Sequence, residues 1–394
     1  MPPKLYAVVF LSILVFANSL IAQSRDDRWR QNSNRAEAQG LAEPFKGLTT
    51  NGEVIPDLFP IEQTGVSTEP VRKAALAFLD TLNSAQKAKT TFEVDDPEWR
   101  SWMNQHFYVR KGVGFDEMNP VQSKAAIGLL RSSLRAKGLK LSQDIMNLNR
   151  TLGELNNNDF DQYNELLYWI TIMGEPSATE PWGWQIDGHH LIINYFVLGD
   201  QVVMTPLFVG SEPVIAETGK FKGTAILQEE QNQGLAMIQA LAPKQQKAAI
   251  IQINKDGNNN LTEAFKDNVV FDYAGVKASS FTKSQKKQFL GLVDLFVENM
   301  DDGHARIRMD EVENHLDETY FAWVGDAGDD AVFYYRIHSP VILIEYDQQR
   351  PVGMRRQFPD RKPNRQHVHV VVRTPNGNDY GKDLLRQHHE KHSH

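Results

Sequence analysis

Apolar residues recur at helical spacing in the first half of the chain. Between residues 67 and 175 they return every three or four positions, which places them on one face of an amphipathic helix. Segments with this spacing lie at 71–82, after Pro120, at 142–155 and at 160–172. The pattern therefore predicts a helical region over about residues 67–175.

Residues 182–394 instead have the pattern of a sheet-containing region. β-Branched and aromatic residues, which favour strands, dominate the segments 184–197, 201–208, 320–324, 331–338, 340–346 and 367–373. Helical spacing returns between them at 222–253, 284–300 and 308–316. The whole pattern predicts an α+β protein, with a mostly antiparallel sheet, an N-terminal helical region and flanking helices.

The N-terminus has the pattern of a secretory signal peptide. Lys4 precedes an apolar run from Leu5 to Phe16, and a stretch with small residues follows as far as Ala22. The run is shorter than the ~20 residues of a membrane span, so we expect cleavage and no remaining span. We therefore predict a signal peptide at residues 1–22 and a secreted or periplasmic protein.

The remainder is predicted to form an arm and one domain. Residues 23–65 are polar and mixed in character, which favours an extended N-terminal arm. No internal repeat and no linker divides residues 66–394. We therefore predict a single α+β domain there, within the usual range of domain sizes or somewhat above it.

Composition excludes several classes of function. The chain has 394 residues and a net charge of -8, so it lacks the basic surface that nucleic-acid binding requires. It has no cysteine, which excludes thiolate nucleophiles, disulfides and cysteine-bound zinc or iron–sulfur clusters. Any metal must therefore be bound by histidine, by carboxylates or by neutral oxygen atoms.

The predicted strand 367–373 holds the strongest candidate for chemistry. Alternate residues of a strand share a face, so His367, His369 and Arg373 point the same way. Two imidazoles on one strand face can bind one metal ion. The alternative is an edge strand whose polar face is solvated.

A second histidine pair lies in the Gly-His-His sequence at residues 188–190. His189 and His190 are adjacent, so a strand would send them to opposite faces, and at most one would join a given site. The pattern does not decide between them, because both Ile192 and Ile193 are apolar.

A third polar group lies on two further predicted strands. Arg336 and His338 share a face of the first, and Glu345 and Asp347 end the apolar run of the second. Carboxylates in such a place must be paired, hydrogen-bonded or metal-bound if they are buried. The alternative is that they lie where the strand leaves the core for solvent.

These same segments resemble the domain-of-unknown-function 3500 family. The resemblance is carried by Trp182-Gly-Trp-Gln-Ile-Asp-Gly-His-His-Leu191, by Tyr335-Arg-Ile-His-Ser-Pro340 and by the stretch from His367-Val-His369 to His388, with further matches at 168–177, 205–213 and 321–325. It covers most of the chain beyond the signal peptide. The resemblance implies a single family domain that is often exported, and it implies no reaction.

The leading hypothesis is a metal-dependent enzyme of the hydrolase type that acts on a small-molecule substrate. Zinc, iron and copper all bind imidazole, so each is a candidate for the divalent transition metal. The candidate ligands are His367 and His369, joined by His189 or His190 and by His338.

Four further residues would serve the reaction. Arg336 and Arg373 would pair with an anionic group of the substrate, as guanidinium groups do with carboxylates and phosphates. Asp379 or Glu345 would act as a base toward a metal-bound water. The alternatives are a copper or iron oxidoreductase with the same ligands, a metal-free protein that binds an anionic or sugar ligand, and a scaffold without a ligand.

Overall fold

The computed structural model describes residue 28 and residues 30–392, in which one large sheet packs with helices. The α+β prediction is confirmed there. The predicted signal peptide, residues 1–22, lies outside the described residues. No helix among the described residues is long and apolar enough to cross a membrane.

Thirteen strands form one sheet among the described residues. They are β1 (Thr91–Phe92), β2 (Val113–Gly114), β3 (Tyr168–Met173), β4 (Trp182–Gly188), β5 (Leu191–Leu198), β6 (Gln201–Val203), β7 (Leu207–Ser211), β8 (Ile250–Gln252), β9 (Val276–Lys277), β10 (Tyr320–Gly325), β11 (Phe333–His338), β12 (Leu343–Gln348) and β13 (Val368–Arg373). Neighbours follow the order β1-β3-β4-β5-β7-β13-β12-β11-β10-β8, and β2, β6 and β9 pair beside it. Of these pairings, β1–β3 and β8–β10 are parallel and the others antiparallel.

Helices cover the sheet. They are α1 (residues 30–40), α2 (Glu69–Thr81), α3 (Ser84–Thr90), α4 (Pro120–Ser133), α5 (Ala136–Leu155), α6 (Gln228–Gln239), α7 (Pro243–Ala249), α8 (Lys283–Val297), α9 (Asp302–Asn314) and α10 (Lys382–Lys391). Local sequence fixes several of their starts. Before α4, for example, the Asn119 side chain accepts a hydrogen bond from the Gln122 backbone, and Pro120 takes the first helical position.

Both faces of the sheet are buried. Val368, Val370 and Val372 belong to one large core, which also contains apolar residues of α2, α4, α5 and α8. Val371, on the opposite face of β13, packs in a second core with residues such as Phe59. The edge-strand alternative for residues 367–373 is therefore wrong, because β13 lies inside the sheet between β7 and β12.

Three assignments made from the sequence need correction. Residues 168–173, predicted as the end of a helix, form β3, because their aromatic and β-branched residues alternate between faces. The predicted helix 222–253 is broken at Pro243 into α6 and α7, and it ends in β8. In the predicted arm, residues 30–40 are helical, since Ala, Glu, Gln and Arg favour a helix there.

The largest correction concerns the predicted strand 184–197. It is two antiparallel strands, β4 and β5, in which Gly188 pairs with Leu191 and the two histidines form the turn. His190 has φ of 64°, a left-handed conformation that is uncommon for a residue with a side chain. The argument that a strand sends His189 and His190 to opposite faces is therefore wrong. The two turn positions hold histidines, whereas the Asp-Gly pair that usually indicates such a turn lies just before them, at Asp187-Gly188, within β4.

Buried carboxylates on β12 hold a loop across the sheet. Glu345 accepts hydrogen bonds from the backbone amides of Leu261 and Thr262, and Asp347 accepts them from Asn259 and Asn260. Both carboxylates are 0% exposed. The alternative that they end a strand in solvent is therefore wrong, and their bonds place residues 259–263 beside β13.

Candidate metal centre

Three histidines converge where the β4–β5 turn meets β13. His369 pairs across the sheet with Gly210 of β7, and the backbone amide of Gly210 donates to the carbonyl of His190 at 3.0 Å. The His190 amide in turn donates to the carbonyl of Asn104 at 3.3 Å. A Cβ at Gly210 would lie 2.3 Å from the Val368 carbonyl oxygen, so a side chain there would push β7 away. These contacts fix His190 next to His369 of β13.

The three rings point their Nε2 atoms at one another. The Nε2 atoms of His190 and His369 are 3.1 Å apart, and those of His367 and His369 are 3.0 Å apart. One ligand atom from each of the three histidines lies within 4.8 Å of the others. Tetrahedral zinc with bonds of 2.0–2.1 Å would separate its nitrogen ligands by about 3.3 Å. The group of His190, His367 and His369, called the triad below, can therefore hold a metal ion with small adjustments.

Hydrogen bonds on the far side of two rings assign their tautomers. His367 Nδ1 lies 2.6 Å from the carbonyl oxygen of Arg350, and His369 Nδ1 lies 2.7 Å from Glu263 Oε1. Both partners only accept hydrogen bonds, so each Nδ1 carries a proton. In the neutral rings the Nε2 atoms then present lone pairs, which is the form that binds a metal.

Two facing lone pairs require a cation between them. At 3.0 Å the lone pairs of His367 and His369 repel each other, unless a proton or a metal ion lies between the two nitrogens. A proton on His369 would bridge one pair of rings and leave the third Nε2 unused. A metal ion satisfies all three nitrogens at once, and the geometry therefore favours a metal.

Glu263 supports the triad from behind His369. Its Oε1 atom also accepts hydrogen bonds from Asn260 and Gln349, so the carboxylate is held in place. Burial would raise the pKa of Glu263, but the His369 beside it lowers that pKa to about 2. A carboxylate that binds the outer nitrogen of a metal-bound histidine orients the ring and makes it a better ligand.

A second carboxylate stands near His367. Glu212 lies 3.8 Å from His367 Nδ1. Its oxygens accept hydrogen bonds from the backbone amides of Val352, Gly353 and Met354 at 2.8 to 3.1 Å. Glu212 therefore provides a fixed negative charge that would offset part of the charge of a bound cation.

Burial favours the uncharged form of two triad rings, His190 and His367. It lowers the pKa of His190 well below the usual 6.5. Burial also lowers the pKa of His367, although Glu212 opposes that shift. Metal binding needs deprotonated imidazole nitrogens, so at neutral pH these two rings are ready to bind without first losing a proton.

His189 lies beside the triad and is not part of it. Its Nδ1 is 2.7 Å from Asn149 Oδ1, and its ring centre is 4.0 Å from that of His190. Tyr168 donates a hydrogen bond to the His189 carbonyl at 2.9 Å, and Gly188 leaves room for the Tyr168 ring. The structure thus decides what the sequence left open, because His190 faces the triad and His189 packs behind it.

A cavity of about 460 Å³ opens onto the triad. Its wall includes all three triad histidines, and α1 and the segment 103–107 line it as well. Structural zinc sites have four protein ligands, whereas catalytic sites keep one position for water or substrate. A metal held by three histidines here would have one coordination position free toward the cavity.

Comparison with known proteins supports the family resemblance. The family model described as "Protein of unknown function (DUF3500)" matches residues 64–382, which is well over half of the chain. The chain belongs to the DUF3500 family. No curated protein and no solved structure gave a significant match. The family region contains the triad and Glu263, whereas α1 precedes it.

Two of the predicted site residues of this DUF3500 domain pair with each other away from the cavity. Arg373 Nε lies 2.7 Å from Asp379 Oδ2, and its Nη2 lies 2.6 Å from Asp267 Oδ1. Arg373 and Asp379 are both 0% exposed and do not line the cavity. A guanidinium already paired with two buried carboxylates has no place for a substrate anion. The interpretation of Arg373 as an anion site and Asp379 as a base is therefore not supported.

Arg336 and His338 lie at the other end of the same sheet face. Asp347 pairs with both His369 and Tyr334, so His338 is four residues, or roughly 13 Å, further along the strand. His338 packs against the rings of Phe271 and Tyr273, and burial lowers its pKa to about 3. Arg336 lies over the Phe271 ring. Neither residue lines the cavity, so His338 does not join the triad.

Glu345, the remaining predicted base, is also removed from the cavity. Its carboxylate accepts hydrogen bonds from the backbone amides of residues 261–262 and from the hydroxyls of Thr262 and Tyr334. The carboxylate that hydrogen-bonds a triad ring is Glu263, which the sequence did not single out. It follows a loop rich in asparagine, and no local pattern reveals that the loop crosses β13.

Proposed function

We propose that this protein is a metal-dependent enzyme in which His190, His367 and His369 hold a divalent transition metal. The observation that carries the proposal is the convergence of three buried Nε2 atoms, two of them with tautomers set by Arg350 and Glu263. The adjoining cavity leaves a coordination position toward substrate.

Hydrolysis is the reaction class that this arrangement supports best. A metal of this kind lowers the pKa of a bound water to about 7 and so supplies a nucleophile at neutral pH. The chain itself would hold the ligand rings through Glu263 and the Arg350 carbonyl, and would confine the substrate in the cavity. The metal-free alternative through Arg336 and Arg373 loses its support, because neither guanidinium reaches the cavity.

An activated ester tests the reaction class. We expect zinc-loaded protein to hydrolyse 4-nitrophenyl acetate, and His369→Ala to fall to the rate of metal-free protein. His389→Ala, an exposed histidine on α10, is the control and should keep the full rate. The initial rate of nitrophenol release measures the effect. Equal rates for zinc-loaded and metal-free protein would show that the hydrolase proposal is wrong.

A further inference from the structure

With a divalent ion bound in the triad, the positive charges around the cavity would outnumber the negative ones. The carboxylates that line it are Glu212 and Glu263, and both already accept several hydrogen bonds from the protein. Arg355 also lines the cavity, and its exposed guanidinium has no carboxylate partner among the described residues. A divalent ion in the triad would add two positive charges. The site would then have an excess of positive charge, which favours an anionic ligand.

A hydrogen-bond donor without a partner points into the same region. Ser33 of α1 lines the cavity and is 5% exposed, and its hydroxyl has no hydrogen-bond partner in the described part of the chain. Leaving a buried hydroxyl unpaired is unfavourable, so such groups usually bind a ligand or a water. Ser33 lies on α1, which precedes the region matched by the family model, so this part of the cavity wall comes from outside that region.

The remaining wall is partly apolar. Met103, Phe107, Leu152 and Tyr163 contribute apolar and aromatic surface to the cavity. Pockets of a few hundred Å³ with such walls and a few polar groups suit small organic molecules. An inorganic anion alone would leave this surface uncovered.

We propose that the substrate is a small organic anion, a carboxylate or a phosphate ester with an apolar body. Its charged group pairs with Arg355 and accepts a hydrogen bond from the Ser33 hydroxyl. The body lies against the aromatic wall and brings the reacting bond to the triad. This inference rests on the proposed function for the role of the triad, whereas the anion site depends on Arg355 and Ser33.

Binding of three related probes tests the anion site. Benzoate and phenyl phosphate carry the two kinds of anionic group, and benzamide is a neutral molecule of the same shape as benzoate. Isothermal titration calorimetry on zinc-loaded full-length protein should show binding of at least one of the two anions. Benzamide should bind at least about tenfold more weakly than that anion, a difference of about 1.4 kcal/mol. The tighter of the two anions identifies the charged group. Equal binding of benzoate and benzamide, with no binding of phenyl phosphate, would overturn the inference.

Two neighbouring arginines provide a matched pair of variants. Arg355→Gln should weaken binding of the anions about tenfold, which corresponds to the loss of one charge-assisted pair. Arg356→Gln is the control, because Arg356 is exposed, does not line the cavity and donates to Asn157 instead. Unchanged affinity in Arg355→Gln would overturn the inference, since the anion would then be binding to the metal alone.

Ser33→Ala separates ligand binding from folding. Its unpaired hydroxyl contributes nothing to stability, so the variant should melt no lower than wild type while binding the anions more weakly. If Ser33→Ala bound the anions as tightly as wild type, Ser33 would not be part of the anion site. If wild type held no metal but still bound benzoate through Arg355, the proposed function would fail and the anion site would stand.

Discussion

Replacing His367 and His369 together by alanine is expected to abolish the part of the protein's stability that depends on metal. A ligand that binds the folded state stabilises it by about 4 kcal/mol when its free concentration is roughly 1,000 times its Kd. A chelator should therefore lower the melting temperature of wild type and leave that of the double variant unchanged. Thermal unfolding of both proteins, with and without chelator, measures the difference.

The C-terminal histidines provide the control for this experiment. His388 and His389 lie on α10, away from the cavity, and the described part of the tail ends at His392. A double variant with alanine at 388 and 389 should keep the full response to chelator. If that variant lost the response and the His367/His369 variant kept it, the stabilising metal would lie in the tail and not in the triad.

The second large effect is expected at Arg373. Its guanidinium joins Asp379, Asp267 and the Thr262 carbonyl in a region that excludes water. Burial alone would lower the pKa of Arg373, but the two carboxylates raise it, so the group stays charged. Removing one partner of a buried ion pair typically costs 3–5 kcal/mol, because the other charge is left uncompensated. Arg373→Met should therefore reduce the free energy of unfolding by about 4 kcal/mol.

An exposed ion pair gives the comparison for Arg373. Arg72 pairs with Glu69 on the surface of α2, and such exposed pairs add little to stability because solvent screens the charges. Denaturant unfolding should show a small change for Arg72→Met and a large one for Arg373→Met. If Arg373→Met kept wild-type stability but lost anion binding, the sequence-based role of Arg373 as an anion site would be restored.

The sequence predicted those features of the site that depend on local pattern. The alternation in residues 367–373 correctly placed Val368, Val370 and Val372 on one face and His367 and His369 on the other, because strand parity needs no knowledge of the fold. The same rule failed at His189 and His190. There the chain turns at a positive φ that the residue types do not indicate, and the resulting geometry brings His190 to His369.

Other parts of the site depend on contacts distant in sequence. Glu263 reaches His369 because Glu345 and Asp347 hold the preceding loop by its backbone amides. Those bonds join residues more than 80 positions apart, so no window of sequence reveals them. Arg373 shows the converse. The strand face of Arg373 was predicted correctly. Its partner Asp267, however, follows the same distant loop, and the ion pair with Asp267 occupies the guanidinium that was expected to bind substrate.

Metal content of the purified protein, without an affinity tag, tests the central claim most directly. We predict one divalent transition metal ion per chain in wild type after dialysis, and none in His190→Gly. Glycine accepts the left-handed backbone of residue 190, so this variant removes a ligand while it preserves the turn. Elemental analysis by mass spectrometry gives both the identity and the stoichiometry of the metal. A wild-type protein that holds no metal, or a His190→Gly variant that holds as much as wild type, would contradict the account.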